Sequence, residues 1–172
     1  ILPVRVTLFA TRPLTEDELA GIGWRGREGI YTAHEILESY RLTVDRRIIG
    51  GSKTINYEYG SALAPGYQPE AFALLERTFR ERFPTLAHVP VELFWGGWIA
   101  LTLDFLPVWG RLGKQQNILY YSGCNGHGIP QCTMMGEVMA DELLGERSPW
   151  AELLRRFIIP LPPEPLRAFL LD

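Results

Sequence analysis

The stretch that decides the fold is residues 118–128, ILYYSGCNGHG, with the apolar helical pattern that follows over about 130–144. Its first four residues form a compact apolar strand, and three glycines follow before the helix. A helix that begins there offers unpaired N–H groups and the positive end of its dipole, which suit an anion or a partly negative carbonyl. The glycines let this backbone approach a flat ligand closely. The pattern therefore predicts a ligand-contacting loop, with a connection that binds nothing as the alternative.

The segments before this loop alternate between strand and helix patterns. Leu2 to Ala10 alternates and predicts a strand with one buried face, and Val89 to Thr102 predicts a long strand bent near Gly96-Gly97. Two further strands are expected over Ile36 to Val44 and Arg47 to Ile49, the second ended by Gly50-Gly51. Residues 52–68 are interpreted as a loop.

Helical patterns lie between and after these strands. Thr15 followed by Glu18 predicts a capped, short first helix, and Pro69 to Phe83 opens with proline and repeats aromatic and aliphatic residues at helical spacing. Gly145 is a plausible end of the helix over 130–144, and a short helix is expected over Trp150 to Arg156. We therefore predict an α+β fold.

Composition excludes several classes of function. The 172 residues carry 17 basic and 20 acidic side chains, interspersed, for a net charge of −3, so no nucleic-acid partner is expected. No apolar run approaches the ~18 residues of a membrane span. Two cysteines do not make a disulfide framework, and a cytoplasmic protein is expected. A chain that starts at Ile1 suggests a processed or truncated product.

Two motif matches are set aside. Residues 21–26, GIGWRG, fit the dinucleotide-binding pattern, but a polar acidic segment precedes them and no amphipathic helix follows. Cys124, His127 and Cys132 resemble a metal-ligand set, but a structural zinc normally takes four protein ligands and no fourth lies convincingly nearby. We therefore predict no metal site.

A longer series of motifs resembles a known family. Residues 95–107 (WGGWIALTLDFLP), 110–112 (GRL), 117–121 (NILYY) and 123–128 (GCNGHG) resemble the C-terminal signature of the D-amino-acid oxidase superfamily of FAD-dependent oxidoreductases. The similarity is greatest to the gamma-glutamylputrescine oxidoreductase branch, with glycine oxidase and sarcosine oxidase more distant. Shorter matches continue it upstream, in order: ILPV at 1–4, TRPL at 11–14, GW at 23–24, REGI at 27–30, YRLT at 40–43 and GG at 50–51.

The resemblance implies a domain arrangement and a reaction. Residues 1–95 would be mainly substrate-binding domain, with a mixed, largely antiparallel sheet and flanking helices. Residues 96–172 would be mainly the C-terminal strand-loop-helix part of an FAD-binding domain. The whole protein would oxidise a C–N bond of an amine or amino acid by hydride transfer to a non-covalently bound FAD.

The resemblance also implies site residues. Gly126, His127, Gly128 and Ile129 would lie against the pyrimidine end of the flavin ring and stabilise the negative charge that develops there, and Thr102 falls in the family's T-x-D stretch near the flavin. Tyr57 and Tyr59 are candidates for the border of the substrate pocket, with ordinary loop packing as the alternative. No catalytic residue can be named.

Two departures from the family pattern narrow these expectations. Gly97 stands where sarcosine-oxidase-like members attach flavin covalently to a cysteine. Pro130 stands where they place a lysine that helps to hold a substrate carboxylate, which favours an amine or polyamine-like substrate, or a carboxylate held elsewhere.

The strand, glycine fingerprint and acidic ribose ligand of an N-terminal FAD-binding half have no counterpart in the sequence. We therefore expect the chain alone to be inactive, to bind FAD weakly, and to need that missing half as its partner. The helix face with Gly136 and Ala140 should be exposed and apolar and should promote self-association. The alternative is a non-enzymatic, stand-alone half or subunit that binds a partner chain.

Overall fold

The computed structural model describes residues 1–34, 36–57 and 68–169. In chain order the elements are β1 (Leu2–Thr11), α1 (Glu16–Ile22), β2 (Ile30–Tyr31), β3 (Ser39–Leu42), β4 (Ile48–Gly51), β5 (Asn56–Tyr57), α2 (Pro69–Arg82), a 3₁₀ turn (Pro84–Leu86), β6 (Val91–Leu101), β7 (Val108–Leu112), β8 (Ile118–Ser122), α3 (Gly128–Leu144), α4 (Pro149–Leu154) and α5 (Leu166–Phe169).

The strands form two sheets. The larger has the order β2-β3-β4-β1-β5, and β6 also pairs with β1. β1 runs antiparallel to β4, and β4 runs antiparallel to β3. β7 and β8 form a separate antiparallel pair, with Val108 opposite Ser122. The prediction of a mixed helix and antiparallel-sheet fold is confirmed.

The chain divides into two compact units, each described by itself. Residues 5–34, 36–56 and 68–97 form what we call the aromatic-core unit. Residues 1–4, 57 and 98–169 form what we call the loop–helix unit. The first unit is built around one cluster of buried side chains: Phe9, Leu14, Trp24, Tyr40, Ile48, Leu75, Phe79, Leu86 and Val89.

Helix α2 supplies much of this cluster because its apolar residues recur at helical spacing. The Phe79 ring lies 5.3 Å from Phe9, centroid to centroid, and 5.7 Å from Phe83. Trp24 stacks on Phe83 at 6.2 Å. The predicted helix from Pro69 is confirmed, with its last helical residue at Arg82.

The prediction of one buried face for β1 is wrong, although the strand itself is confirmed. Val6 is buried, and so are its neighbours on the opposite face, Arg5 and Thr7. β1 is paired with β4, β5 and β6 and is covered on both faces. Alternation shows which residues share a face, but it does not show whether the polar face meets water or protein.

Gly50 and Gly51 are the last two residues of β4 rather than a stop that follows Ile49. Gly50 pairs with Phe9 on one side and Tyr40 on the other. A Cβ at Gly50 would lie 2.6 Å from the Phe9 ring and 2.8 Å from the Tyr40 ring. Glycine is therefore needed here because two aromatic side chains fill the space beside the backbone.

Several boundaries differ from prediction. The strand expected over Ile36 to Val44 is limited to Ser39–Leu42, and the long strand predicted over Val89 to Thr102 is confirmed as Val91–Leu101. α1 has the predicted capping box between Thr15 and Glu18 and ends at Gly23, whose φ is 67°. Its glycines thus end a helix rather than begin one, which supports the rejection of GIGWRG as a nucleotide motif. Residues 58–67, most of the predicted loop, lie outside the described residues.

The loop–helix unit contains the β7–β8 pair and α3–α5. α3 and α4 share a smaller buried cluster of Met135, Val138, Ala151 and Leu154, flanked by Trp109, Tyr121 and Met134. α3 begins at Gly128 and ends before Gly145, whose φ is 73°, so the predicted strand-loop-helix and its stop are confirmed. α4 starts one residue before and ends two residues before the predicted short helix.

Candidate cofactor site

The buried side-chain amide of Asn125 holds the loop between β8 and α3 in place by hydrogen bonds. Its Oδ1 accepts hydrogen bonds from the Thr102 backbone N at 2.8 Å and lies 3.1 Å from the Thr102 hydroxyl. Its Nδ2 donates to the Gly123 carbonyl at 2.7 Å, and its backbone N donates to the Ala100 carbonyl at 3.1 Å. These bonds fix the loop to the segment after β6.

Asn125 was not predicted as a site residue. It adopts a positive φ of 49°, a conformation that asparagine tolerates better than most residues. An asparagine between glycines is a signal for such a turn. What the sequence could not show is its partner Thr102, 23 positions away.

Thr102, predicted to contact the cofactor, is buried and its hydroxyl faces the protein. The hydroxyl donates to the Leu106 carbonyl at 2.9 Å as well as lying beside Asn125. An added Cβ at Gly123 would lie 2.7 Å from the Thr102 methyl group. Thr102 therefore shapes the base of the loop and makes a glycine necessary at position 123.

The other four predicted residues form the outer side of the loop and the first turn of α3. Gly126 and His127 are exposed, Gly128 is half-buried, and the Ile129 side chain is 82% exposed. The His127 backbone N donates to the Cys124 carbonyl at 2.8 Å, and the His127 ring Nδ1 lies 3.1 Å from the Asn125 carbonyl. The structure thus brings these four residues together above the Thr102–Asn125 base.

The outer side of this loop leaves space for a flat group beside its backbone. A Cβ at Gly128 would meet only Cys124, at 3.7 Å, and one at Gly126 would meet only Ile99, at 3.6 Å. Gly126 also needs glycine for its φ of 83°. The N–H groups in the first turn of α3 have no acceptor within the helix and carry its positive dipole end. The loop therefore offers donors on a backbone that a ring can approach.

A cavity of about 220 Å³ adjoins Thr102 in the same unit. Its lining is mostly apolar, and its polar part is the ion pair between Asp104 and Arg156. Arg156 Nε lies 2.6 Å from Asp104 Oδ2, and its other nitrogens donate to the Leu106 and Pro107 carbonyls at 2.9 and 2.7 Å. The hydrogen bond from Arg156 lowers the pKa of Asp104 to about 2.

Arg156 was expected to end a helix and had no predicted site role. It lies 52 positions from Asp104, beyond the last residue of α4. No local sequence pattern relates residues that far apart. The guanidinium is satisfied by protein acceptors, so this pair anchors the segment after α4 to the loop after β6.

The two predicted substrate-pocket tyrosines have different outcomes. Tyr59 lies outside the described residues. Tyr57 is half-buried at the end of β5, where its hydroxyl donates to the Glu164 carboxylate. The structure therefore gives Tyr57 a polar partner from the C-terminal segment.

One face of α3 is not covered by any of the residues that the structure describes. Gly136 and Ala140 are exposed, and so are Ile129 and Leu143 on nearby turns. A Cβ at Gly136 would meet no atom within 4 Å. The exposed small-residue face expected from the sequence is therefore present.

Neither a metal cluster nor a membrane helix is found in the described part of the chain. Among those residues, no three His, Cys, Asp or Glu side chains are grouped so that they could hold a metal ion. Both cysteines are free. No described helix is long and apolar enough to cross a membrane.

The chain belongs to the FAD dependent oxidoreductase (DAO) family, whose model matches residues 1–142. Among curated relatives, it is 27% identical over 146 residues to the probable oxidoreductase OrdL of Haemophilus influenzae, covering 85% of this chain and 31% of that protein. It is 32% identical over 145 residues to gamma-glutamylputrescine oxidoreductase of Escherichia coli, covering 84% of this chain and 32% of that protein.

A solved structure shows the same fold. Glycine oxidase from Geobacillus kaustophilus superposes with a TM-score of 0.72 at 16% identity, covering 91% of this chain and 40% of that one. The chain thus spans about a third of the length of the two curated relatives. The predicted family is confirmed.

Proposed function

We propose that this chain is the C-terminal part of an FAD-dependent oxidoreductase that oxidises the C–N bond of an amine or amino acid by hydride transfer to flavin. The observation that carries the proposal is the β8–α3 loop. Its base is fixed by Asn125 and Thr102, and its outer backbone is open to a flat ligand. Membership of an FAD dependent oxidoreductase family supports FAD as the ligand that this loop would meet.

The loop residues would divide the work of holding the ring. FAD, when bound, would supply the hydride acceptor. The N–H groups of Gly128 and Ile129 would donate to a ring carbonyl and, with the dipole of α3, favour the negative charge that develops there. Gly126 would allow close approach, and Thr102 would act through Asn125 by fixing the loop. Because these donors are held in place before reaction, little reorganisation would oppose the transfer.

The two units support a division of roles. We assign residues 1–95 mainly to substrate binding and residues 96–172 mainly to the FAD-binding domain, and the described units change over at residues 97 and 98. Gly97 carries no thiol, so FAD would be held non-covalently.

An amine substrate accords with the first turn of α3. Pro130 lies there and offers no positive charge for a substrate carboxylate. One curated relative is named gamma-glutamylputrescine oxidoreductase. We therefore infer an amine or polyamine-like substrate in preference to a simple amino acid.

The partner we infer is the remaining part of the same enzyme. The relatives are about three times as long as the matched region, and the face of α3 with Gly136 and Ala140 is exposed in this chain. A chain without that partner would hold FAD weakly, lack activity and self-associate through exposed apolar surface.

The test compares the chain with the full-length protein that contains it. Both are purified, flavin content is measured from visible absorbance, and anaerobic flavin reduction is followed with a panel of amines and amino acids. We expect the full-length protein to be yellow and reduced by an amine, and the chain alone to be colourless. A colourless full-length protein, or one that no amine or amino acid reduces, would contradict the proposal and favour the non-enzymatic alternative.

A further inference from the structure

The C-terminal segment folds back on Tyr57, 107 positions earlier in the chain. The Tyr57 hydroxyl donates to Glu164 Oε1. The same carboxylate oxygen accepts from Arg167 Nε at 3.2 Å and lies 3.1 Å from Arg167 Nη2. The other carboxylate oxygen accepts from the Ala168 backbone N at 3.2 Å. One acidic side chain therefore joins Tyr57 to the first turn of α5.

Arg167 closes the cluster from its other side. Its guanidinium carbon lies 5.7 Å from the centre of the Tyr57 ring, within the range of a cation–π contact. The side chains of Arg167 and Glu164 are only 19% and 16% exposed, although they lie near the end of the chain. Charge-assisted hydrogen bonds at such partly buried groups are stronger than neutral ones. Tyr57, Glu164 and Arg167 thus each contact both of the others.

Two of the three members of this cluster lie beyond the region that the family model matches. The family match ends at residue 142, whereas Glu164 and Arg167 follow α4. The flavin loop makes no use of either side chain in the bonds described above.

We propose that the segment Glu164–Phe169 is a latch that fixes Tyr57, with Glu164 and Arg167 as positioning residues for a tyrosine at the border of the substrate pocket. The latch itself rests on the contacts within the cluster. The placement of Tyr57 at the pocket rests on the proposed function.

The latch also determines whether the Tyr57 hydroxyl can donate a hydrogen bond to a substrate or accept one from it. A phenol has one hydrogen to donate, and here that hydrogen is committed to Glu164. The oxygen can then accept an N–H from an amine, but it has no hydrogen left for a substrate carboxylate. Burial and the neighbouring Glu164 carboxylate raise the pKa of Tyr57, so the phenol stays protonated. The latch therefore favours an amine over a carboxylate at this position.

The latch is tested by amide hydrogen exchange at Arg167 and Phe169, whose N–H groups bond to the Pro163 and Pro165 carbonyls. Tyr57→Phe removes the hydroxyl and keeps the ring, and Glu164→Gln removes the charge. We expect each variant to exchange about tenfold faster, because a hydrogen bond to a charged group contributes at least that factor. The double variant should exchange more slowly than the product of the two single effects predicts, because both substitutions weaken the Tyr57–Glu164 hydrogen bond.

Two further measurements make the result decisive. Glu152→Gln is the matched control, since it breaks the exposed Arg147–Glu152 pair elsewhere in the C-terminal region. It should leave exchange at Arg167 and Phe169 unchanged, and circular dichroism should show all variants folded. Unchanged exchange in Tyr57→Phe, or additive effects in the double variant, would overturn the latch.

The positioning role is tested in the full-length protein. Tyr57→Phe and Glu164→Gln should raise KM for an amine several-fold with kcat little changed, whereas Glu152→Gln should alter neither. Faster exchange with an unchanged KM would overturn the positioning role while the latch stands. A wild-type protein that oxidises no amine would instead overturn the proposed function, and the exchange result would still decide the latch.

Discussion

The aromatic-core unit and the loop–helix unit differ in how completely they bury their apolar side chains. The first closes nine side chains into one cluster, including Phe9, Tyr40 and Phe79. The second buries four in its main cluster. Most of the exposed large apolar side chains of the described residues lie in the second unit, among them Leu103, Phe105, Leu106, Ile129, Leu143, Phe157 and Ile159.

This difference bears on the proposed partner, the rest of the enzyme. A surface that keeps contiguous apolar residues in water usually meets another protein surface or a ligand. The aromatic-core unit has few exposed large apolar side chains among the described residues, whereas the loop–helix unit has many. The proposed cofactor loop belongs to the loop–helix unit. This is expected if the rest of the FAD-binding domain covers that loop.

The largest expected change in stability comes from a substitution in the core of the aromatic-core unit. Phe79 is fully buried, with aromatic rings on either side, so Phe79→Ala should lower the free energy of unfolding by about 3–5 kcal/mol. Met135→Ala, in the smaller cluster, should cost about 2 kcal/mol because fewer neighbours surround the cavity. Urea unfolding, with amide exchange assigned to each unit, measures both values. Equal losses would remove the contrast between the two units.

The next effect tests whether the open loop meets the cofactor. Among the described residues, a Cβ added at Gly128 would meet only Cys124, at ordinary contact distance. Gly128→Val in the full-length protein should therefore leave the chain folded, yet weaken flavin retention and slow anaerobic reduction on the order of 10²-fold. Flavin content and reduction rate are measured on the folded fraction.

Gly21→Ala is the control for Gly128→Val, because an added Cβ at Gly21 meets no described atom within 4 Å and the residue lies in the other unit. It should retain flavin and its reduction rate. Normal flavin chemistry in Gly128→Val would show that the loop is a connector that does not touch the cofactor.

A smaller loss of stability is expected when a buried charge of the aromatic-core unit, that of Glu38, is removed. The Glu38 carboxylate accepts hydrogen bonds from Lys53 at 2.7 Å, Tyr40 at 2.8 Å and Arg82 at 3.2 Å, and its side chain is 2% exposed. Burial opposes the charge, but these partners outweigh it and hold the pKa of Glu38 below its ordinary value of 4.5. Glu38→Gln should cost about 1–3 kcal/mol at neutral pH.

The pH dependence of this contribution follows from the direction of the shift. Because the folded pKa lies below the unfolded one, the stabilisation is complete above about pH 4.5 and is lost as the pH falls through the folded pKa. Urea unfolding from pH 7 to pH 3 should therefore show the difference between wild type and Glu38→Gln shrinking with acidification. A difference that stays constant over this range would contradict the assignment.

The smallest effect on stability should come from the exposed face of α3. Leu143→Glu should change the unfolding free energy by no more than about 0.5 kcal/mol, since the side chain is exposed. It should nevertheless reduce self-association of the chain, measured by sedimentation at increasing concentration, because it places a charge on an apolar surface. Val44→Glu, at an exposed residue of the aromatic-core unit, should leave self-association unchanged. Equal effects of the two variants would show that α3 is not the associating face.

Elements with local signals were predictable from the sequence alone. α2 follows from a proline at its start and apolar residues at helical spacing, and α3 from a strand, a glycine loop and Gly145. The capping box of α1 is a contact between residues three apart. In each case the interactions that form the element lie within a few positions of one another, so the local sequence contains them.

The tertiary structure decided the features that join distant segments. β1 is buried on both faces because other strands and side chains cover it, and Gly50 is needed because Phe9 and Tyr40 fill the space beside it. The base of the cofactor loop joins Thr102 to Asn125, and the latch joins Tyr57 to Glu164. The sequence determined that a glycine loop precedes a helix in a chain of this family. Which buried groups hold that loop, and which side chains remain open to a partner, depends on contacts between residues that only folding brings together.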